Sequence, residues 1–221
     1  MEKAAYVSGP RDLESKAKTW LKKIRGTHKP SPATRFSSDH AALFVVDMQR
    51  FFLDPKSHAS VPAAKALVPN LQALLEAFRA AGKPVVFTRY AVAEGENPGL
   101  MGEWWRDSVK EGSPASAVIP DLRPVEGELV LRKRSYSAFH ETGLQQALTQ
   151  KQVDSVVITG VMTHLCCDTL AREAFTRDFK PYLVVDGTAS YNEELHFASL
   201  KTLSNGVAVP VLAKEILEAL R

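Results

Sequence analysis

Cysteine is scarce in this sequence: the 221 residues contain only two, adjacent at positions 166 and 167. Neighbouring Cα atoms lie about 3.8 Å apart across a trans peptide, closer than the roughly 4.4 Å at which disulfide geometry begins. A disulfide framework is therefore excluded. The C-x₂-C and H-x₃-H spacings of zinc sites are also missing, so neither a metal nor another cofactor is expected.

Long apolar runs, a broad basic face and glycine-rich phosphate loops are missing too. No run approaches the roughly 20 apolar residues that a membrane span needs, and the N-terminus lacks a signal-peptide core, so we expect a cytoplasmic protein without a membrane partner. The net charge is only +3, with its Lys/Arg excess in the first 40 residues, so no nucleic-acid partner is expected. Gly160 stands alone, without a G-x-G-x-x-G pattern or a P-loop lysine.

Alternating strand and helix patterns are present throughout, in a chain that is 45% hydrophobic. This alternation predicts an α/β fold, a three-layer α/β/α arrangement with a parallel sheet. The predicted strands cover residues 42–46, 84–88, 128–131, 156–159, 181–185 and 208–212. The predicted helices between them cover 61–81, 142–150, the residues from 163 onward, 193–203 and 214–220. Residues 89–124 have no clear pattern, and a loop of that length is usually functional.

The first 40 residues form a separate arm before a domain at 41–221. Residues 11–25 have an apolar stripe of Leu13, Ala17, Trp20, Leu21 and Ile24 at helical spacing, with Gly26 as the stop. Residues 27–40 are a Pro- and Ser-rich linker. The helix either docks on its own domain or on a sister subunit of a homo-oligomer (dimer or tetramer), or serves as a membrane or partner element; docking is favoured.

Residues 155–178 place a cysteine where a strand turns into a helix. The strand ends at Gly160, Thr163 is the expected N-cap, and Cys166 falls in the first helical turn. Backbone N–H groups there favour a thiolate and can hold an oxyanion, which is typical of a nucleophile. The alternative is a small buried hydrophobic residue.

Two further reactive residues follow predicted strands: Asp47 after the first and Lys133 after the third. Taken singly, Asp47 is equally well a turn cap, and Lys133 a solvated surface lysine. The carboxyl ends of parallel strands meet at one edge of the sheet, so Asp47, Lys133 and Cys166 can converge as base, charge and nucleophile.

Five segments together resemble the isochorismatase-like cysteine hydrolases, a family that includes nicotinamidases, carbamoylsarcosine-type amidohydrolases and isochorismatase. They are VVDMQRFF (45–52), VVFTR (85–89), LRKRSYSAF (131–139), TGVMTHLCC (159–167) and YLVVDGTAS (182–190). The resemblance implies a six-stranded sheet in the order 3-2-1-4-5-6, with Asp47 beside Cys166. Lys133 would then reach in from the segment beyond its strand.

The resemblance also implies a mechanism for small amides. Asp47, Lys133 and Cys166 form the catalytic triad, and Cys166 gives a thioester intermediate. A cis peptide between Val161 and Met162 turns the N–H groups of Met162 and Cys166 towards the oxyanion. Lys133 beside Cys166 favours the thiolate near neutral pH.

The sequence departs from two branches of the family, each at a different position. The Asp-x-His of metal-binding nicotinamidases is replaced by Asp54-Pro55-Lys56, with His58 alone, which argues against a metal and against nicotinamide. The arm and several motifs resemble the isochorismatase branch, which cleaves a vinyl ether with an aspartic acid and has Gly at position 166. Vinyl ether hydrolysis by Asp47 and a non-catalytic binding module therefore stay open as alternatives.

Seven side chains are candidate contacts for a small-molecule substrate. Arg89 suits a carboxylate, and the tryptophans suit an apolar portion or, alternatively, loop packing or a subunit contact. His164 is favoured as a structural residue over a base. The full set is Gln49, Arg89, Tyr90, Trp104, Trp105, Tyr136 and His164.

Overall fold

The computed structural model describes residues 2–25 and 35–221. Six parallel strands form one sheet: β1 (Ala41–Val46), β2 (Val85–Tyr90), β3 (Leu129–Lys133), β4 (Ser155–Val161), β5 (Lys180–Ala189) and β6 (Val209–Val211). Their order is β3-β2-β1-β4-β5-β6, so the predicted fold class is confirmed. The order reverses between β1 and β4, and in open parallel sheets a crevice forms at the carboxyl ends of the strands on either side of such a reversal.

Eight α-helices flank this sheet within the described residues. They are α1 (Pro10–Ile24), α2 (Arg50–Leu53), α3 (Ala64–Ala80), α4 (Gly99–Trp105), α5 (Leu144–Gln150), α6 (Asp168–Phe175), α7 (Glu193–Gly206) and α8 (Ala213–Ala219). All six residues of β1 are buried, as expected for a central parallel strand covered on both faces. None of the described helices has the length and hydrophobicity of a bilayer-spanning segment.

Several strands extend further than their sequence patterns predict. β4 does not end at Gly160 but pairs through it, because glycine adopts the φ of +103° found there. β2 includes Arg89 and Tyr90, which pair with the last two residues of β3. Residues 89–124, which were expected to be irregular, contain the short helix α4. Its two glycines are poor helix formers, so the sequence pattern did not predict this helix.

The N-terminal helix α1 docks on its own chain. Its predicted stripe, from Leu13 to Ile24, is buried in the same hydrophobic core as the sheet. α1 packs against β5, α3 and α7. Gly26 and linker residues 27–34 lie outside the described residues, so the predicted stop and most of the linker are not placed.

Candidate active site

Asp47 begins the site, directly after β1 at the reversal of strand order. Its φ is +48°, a left-handed conformation that few non-glycine residues adopt. Its backbone N–H lies 3.2 Å from Thr88 O and from Thr88 Oγ1, and Thr88 Oγ1 donates to Asp47 Oδ1 at 2.7 Å. These contacts from β2 fix the direction of the carboxylate.

A glycine on β4 allows the close approach of the two central strands beside Asp47. Gly160 pairs with Val46, and a Cβ at position 160 would lie 2.1 Å from Val46 O. No real Cβ tolerates such a distance. The sequence therefore needs glycine here to hold Asp47 next to the end of β4.

The structure brings the three predicted catalytic side chains together through one ammonium group. Lys133 Nζ lies 2.8 Å from Asp47 Oδ2 and 3.2 Å from Cys166 Sγ. It also donates to Ser135 O at 2.9 Å. The Asp47 and Lys133 side chains are 0% and 1% exposed, so their charges interact with little screening by water.

The Asp47–Lys133 contact is a short ion pair between buried charges. Apart from Lys133, no hydrogen-bond partner of Asp47 Oδ2 is found within the described residues. A carboxylate oxygen can accept more than one hydrogen bond. Asp47 Oδ2 therefore retains acceptor capacity for a proton delivered within the site.

The structure corrects the predicted position of Lys133 relative to its strand. It is the last residue of β3, not part of a segment beyond the strand, and its Cα pairs with that of Tyr90 in β2. Its side chain therefore crosses the end of β2 to reach Asp47. Burial lowers its pKa, but the neighbouring Asp47 and Cys166 raise that pKa by more, so Lys133 remains an ammonium.

Residues 163–167, named the nucleophile turn after the role predicted for Cys166, are π-helical and lead into α6. Cys166 is 5% exposed. Burial and the Asp47 carboxylate raise the pKa of its thiol to about 12, although Lys133 opposes them. Lys133 therefore acts in the expected direction on this pKa, but burial and the Asp47 carboxylate outweigh it, so the net shift in the resting site is upward.

The peptide between Val161 and Met162 is cis, as the family resemblance implied. Met162 and Cys166, the expected oxyanion-hole residues, line one pocket. Thr163 does not cap the helix by its side chain. The use of the Met162 and Cys166 N–H groups on an oxyanion stays a prediction.

Cys166 opens into a narrow, largely aromatic pocket. Flat walls of this kind suit a small planar ligand. Neither Lys nor Arg is among the side chains that line the pocket. These are Phe51, Phe52, His58, Ala59, Tyr90, Met101, Trp105, Asp107, Tyr136, Met162, Leu165, Cys166 and Tyr191.

Three of the predicted substrate contacts line this pocket: Tyr90, Trp105 and Tyr136. Tyr90 is 4% exposed, and within the described residues its hydroxyl has no hydrogen-bond partner. Trp105 Nε1 donates to the Tyr136 hydroxyl at 2.7 Å, which leaves the Tyr136 O–H free to donate. The pocket thus offers two hydroxyl groups among apolar walls.

Two other predicted contacts lie outside the lining for clear reasons. The buried Gln49 uses its amide on the backbone: Nε2 donates to Tyr90 O and Ser116 O, both at 3.0 Å, and Oε1 accepts from Tyr90 N at 2.8 Å. Trp104 is 80% exposed on the outer face of α4. Gln49 therefore holds the pocket wall, and Trp104 does not reach the pocket.

Arg89 and His164 also lie outside the lining. Arg89 alternates with Thr88 and Tyr90 along β2, so it faces the other side of the sheet, where its Nε is buried. His164 Nδ1 lies 2.9 Å from Ser190 Oγ, and burial lowers its pKa to about 4. His164 is consequently neutral and outside the pocket wall, and its assignment as a structural residue or substrate contact stays a prediction.

Sequence reasoning missed a contact between a histidine and an aspartate at the pocket. His58 Nε2 lies 2.6 Å from Asp107 Oδ2, and both residues line the pocket. They are 49 positions apart on irregular segments, so no sequence spacing pointed to their contact. Tyr191, two residues after the end of β5, was missed as a third wall residue. Across residues 2–25 and 35–221, no group of three or more His, Cys, Asp or Glu side chains could hold a metal ion.

Comparison with known proteins identifies the family. The Isochorismatase domain model matches residues 41–215. Nicotinamidase 3 of Arabidopsis thaliana is 37% identical over 82% of this chain and 87% of its own length. Isochorismatase of Bacillus subtilis is 31% identical over 83% of this chain, which covers only 59% of that longer protein.

A solved structure supports the same assignment. The cysteine hydrolase from Pseudomonas syringae pv. phaseolicola superposes with a TM-score of 0.82 at 25% identity, covering 87% of this chain and 98% of that one. Fold and sequence therefore agree, and the chain belongs to the isochorismatase family as an isochorismatase-like hydrolase.

Proposed function

We propose that this hydrolase cleaves a small amide, or a related C–N bond, through a thioester on Cys166. One observation carries the proposal: Lys133 Nζ contacts both Asp47 Oδ2 and Cys166 Sγ beneath an aromatic pocket. A lone buried cysteine would not need a charged pair at its sulfur. A nucleophile needs both a base and a cation there.

In the first half of the reaction, Asp47 Oδ2 accepts the Cys166 proton as Sγ attacks the amide carbonyl. Lys133 stays charged and stabilises the anion on whichever partner holds it. One proton is thus shared within the triad, which explains how a thiol with a raised pKa still reacts near neutral pH. The tetrahedral oxyanion is assigned to the Met162 and Cys166 N–H groups.

In the second half, the C–N bond breaks and the leaving nitrogen takes the proton from Asp47. Ammonia or an amine departs, and the acyl group remains on Sγ as a thioester. Asp47, again a carboxylate, removes a proton from water, which attacks the thioester carbonyl. Release of the carboxylic acid regenerates the Cys166 thiol.

The pocket favours a neutral, planar substrate over an anionic one. The lining includes no Lys or Arg to bind an anion, and its carboxylate, Asp107, is in contact with His58 at 2.6 Å. The Tyr90 and Tyr136 hydroxyls can donate to a carbonyl or ring nitrogen. Although the missing Asp-x-His argued against nicotinamide, the identity to a plant nicotinamidase places nicotinamide among the carboxamides to test.

A second candidate is vinyl ether hydrolysis with Asp47 as the acid. The 31% identity to a bacterial isochorismatase favours it. Isochorismate carries two carboxylates, however, and the pocket lining offers them no Lys or Arg. This candidate also leaves the Lys133–Cys166 contact without a use.

A product assay separates these candidates. The purified protein is incubated with a panel of small carboxamides, including nicotinamide, and with isochorismate, and ammonia and pyruvate are measured. Amide hydrolysis predicts ammonia from at least one carboxamide and no pyruvate. Pyruvate from isochorismate without ammonia from any amide would assign the vinyl ether reaction. If neither ammonia nor pyruvate is formed, a non-catalytic role is favoured.

A further inference from the structure

The nucleophile turn is held from outside by α7. Thr163 Oγ1 and His196 Nδ1 are hydrogen-bonded at 2.8 Å. Ser199 Oγ lies 3.1 Å from Thr163 O and 2.7 Å from Asp168 Oδ2. Thr163 and His196 are both fully buried. The first residue of the turn is therefore fixed through its side chain and its carbonyl.

His196 is in turn fixed by two aromatic rings from the N-terminal segment. Its ring stacks on Tyr6 at 5.6 Å and meets the Trp20 ring edge-on at 4.8 Å between centroids. Burial keeps this imidazole neutral by lowering its pKa to about 3. Its other nitrogen, Nε2, has no hydrogen-bond partner within the described residues. Packing and the single bond to Thr163 therefore set the ring plane.

The two rings are themselves anchored to the domain. Trp20 Nε1 donates to Glu193 Oε1 at 2.9 Å, and the Ser190 backbone N–H donates to the Tyr6 hydroxyl at 3.1 Å. Tyr6 and Trp20 lie before residue 41, where the match to the family domain begins. The N-terminal segment thus reaches the reactive cysteine through a continuous chain of contacts.

We propose that His196 is a positioning residue for Cys166, acting through its hydrogen bond to Thr163 and clamped by Tyr6 and Trp20. Cys166 lies three residues after Thr163 in the same turn, so rotation of the turn moves Sγ away from Lys133 Nζ. A misplacement of about 1 Å is enough to slow catalysis about a hundredfold. The kinetic part of this proposal rests on the proposed function, whereas the position of the thiol does not.

Two matched pairs of variants test the Thr163–His196 bond in the full chain. Thr163→Val removes the hydroxyl at nearly constant volume, and Thr163→Ser keeps it. His196→Gln places its amide near the Nε2 position and loses the bond, whereas His196→Asn places its amide near Nδ1 and keeps it. All are made with Cys167→Ser, so that iodoacetamide reports on Cys166 alone.

Two readouts are taken per mole of folded protein, as determined by near-UV circular dichroism. They are the rate of Cys166 alkylation and, separately, kcat and KM for ammonia release. We expect Thr163→Val and His196→Gln each to lower alkylation and kcat about tenfold, the size of one lost hydrogen bond, with little change in KM. Thr163→Ser and His196→Asn stay near the parent, and the Val/Gln double variant equals either single variant.

A merely structural role predicts a different pattern. Thr163→Val or His196→Gln would then lower the melting temperature while the folded fraction kept the parental alkylation rate and kcat, and this result would overturn the proposal. If alkylation falls as expected but no protein, parent included, releases ammonia, the positioning role stands and the proposed function fails.

Discussion

Asp47 Oδ2 and Lys133 Nζ face each other at 2.8 Å with both side chains almost fully buried. Breaking a buried ion pair by removing one partner usually costs about 3–5 kcal/mol, because the other charge is left in the protein interior. This relationship makes a stability prediction that is independent of any substrate.

Lys133→Met and Asp47→Asn should each lower the free energy of unfolding by about 3 kcal/mol or more. The double variant carries neither charge and should lose much less than the sum of the two. Urea unfolding of the three variants measures the coupling. Additive losses would mean that the two charges do not interact as the structure indicates.

The close approach at Gly160 gives a second prediction. Gly160→Ala places a Cβ against Val46 O and pushes β1 from β4 next to Asp47. Gly127→Ala is the control, since Gly127 also has a positive φ, +86°, but nothing within 4 Å of its Cβ position. We expect Gly160→Ala to cost several kcal/mol more, about the scale of core overpacking. Thermal unfolding compares the two, and equal losses would contradict the contact.

Adjacent tryptophans test the pocket assignment. Trp105 lines the pocket and bonds Tyr136, whereas Trp104 is 80% exposed. Trp105→Ala should raise KM for the cleaved amide by about tenfold or more, as expected when an aromatic contact with the ligand is removed. Trp104→Ala should leave KM nearly unchanged. Steady-state kinetics measures KM for both variants. A larger effect of Trp104→Ala would mean that the substrate binds at another surface and not in this pocket.

Histidine burial predicts a pH dependence of stability. Burial lowers the pKa of His164 to about 4 and that of His196 to about 3, whereas both titrate near 6.5 in the unfolded chain. The unfolded chain therefore binds more protons below about pH 6.5, and stability falls as the pH drops from there towards about 4. Above pH 6.5 this contribution is complete.

The His196→Asn variant removes one of the two titrating groups. Its free energy of unfolding should depend on pH less steeply than that of the wild type between about pH 4.5 and 6, by about 1.4 kcal/mol per pH unit. Urea unfolding across this range provides the slopes. Parallel slopes would show that His196 is not kept neutral in the folded protein.

The strand–helix alternation was sufficient to predict the fold class, and the family resemblance supplied the strand order. That order correctly placed Asp47 beside Cys166. Strand ends were less predictable: Gly160 looked like a strand terminator because sequence patterns do not reveal that β1 requires a residue without a Cβ there. The third strand likewise continues two residues past its predicted end at Leu131, so Lys133 belongs to the strand and not to a segment beyond it.

The pocket walls depended on contacts between distant segments. His58 and Asp107 meet across 49 positions, and Gln49 is occupied by the backbone of Tyr90 and Ser116. Residue type alone made Gln49 and Trp104 resemble substrate contacts. Burial, which decides the Cys166 pKa, likewise depends on packing that the chemistry of its neighbours does not reveal.

Ammonia release by Cys166→Ser tests the central claim most directly, with Cys167→Ser as the neighbouring control. On the amide that the wild-type protein cleaves, a thioester route predicts a loss of at least about a thousandfold for Cys166→Ser, as for other nucleophile substitutions. Cys167→Ser should retain turnover close to that of the wild type. Wild-type turnover by Cys166→Ser would contradict nucleophilic catalysis by this cysteine.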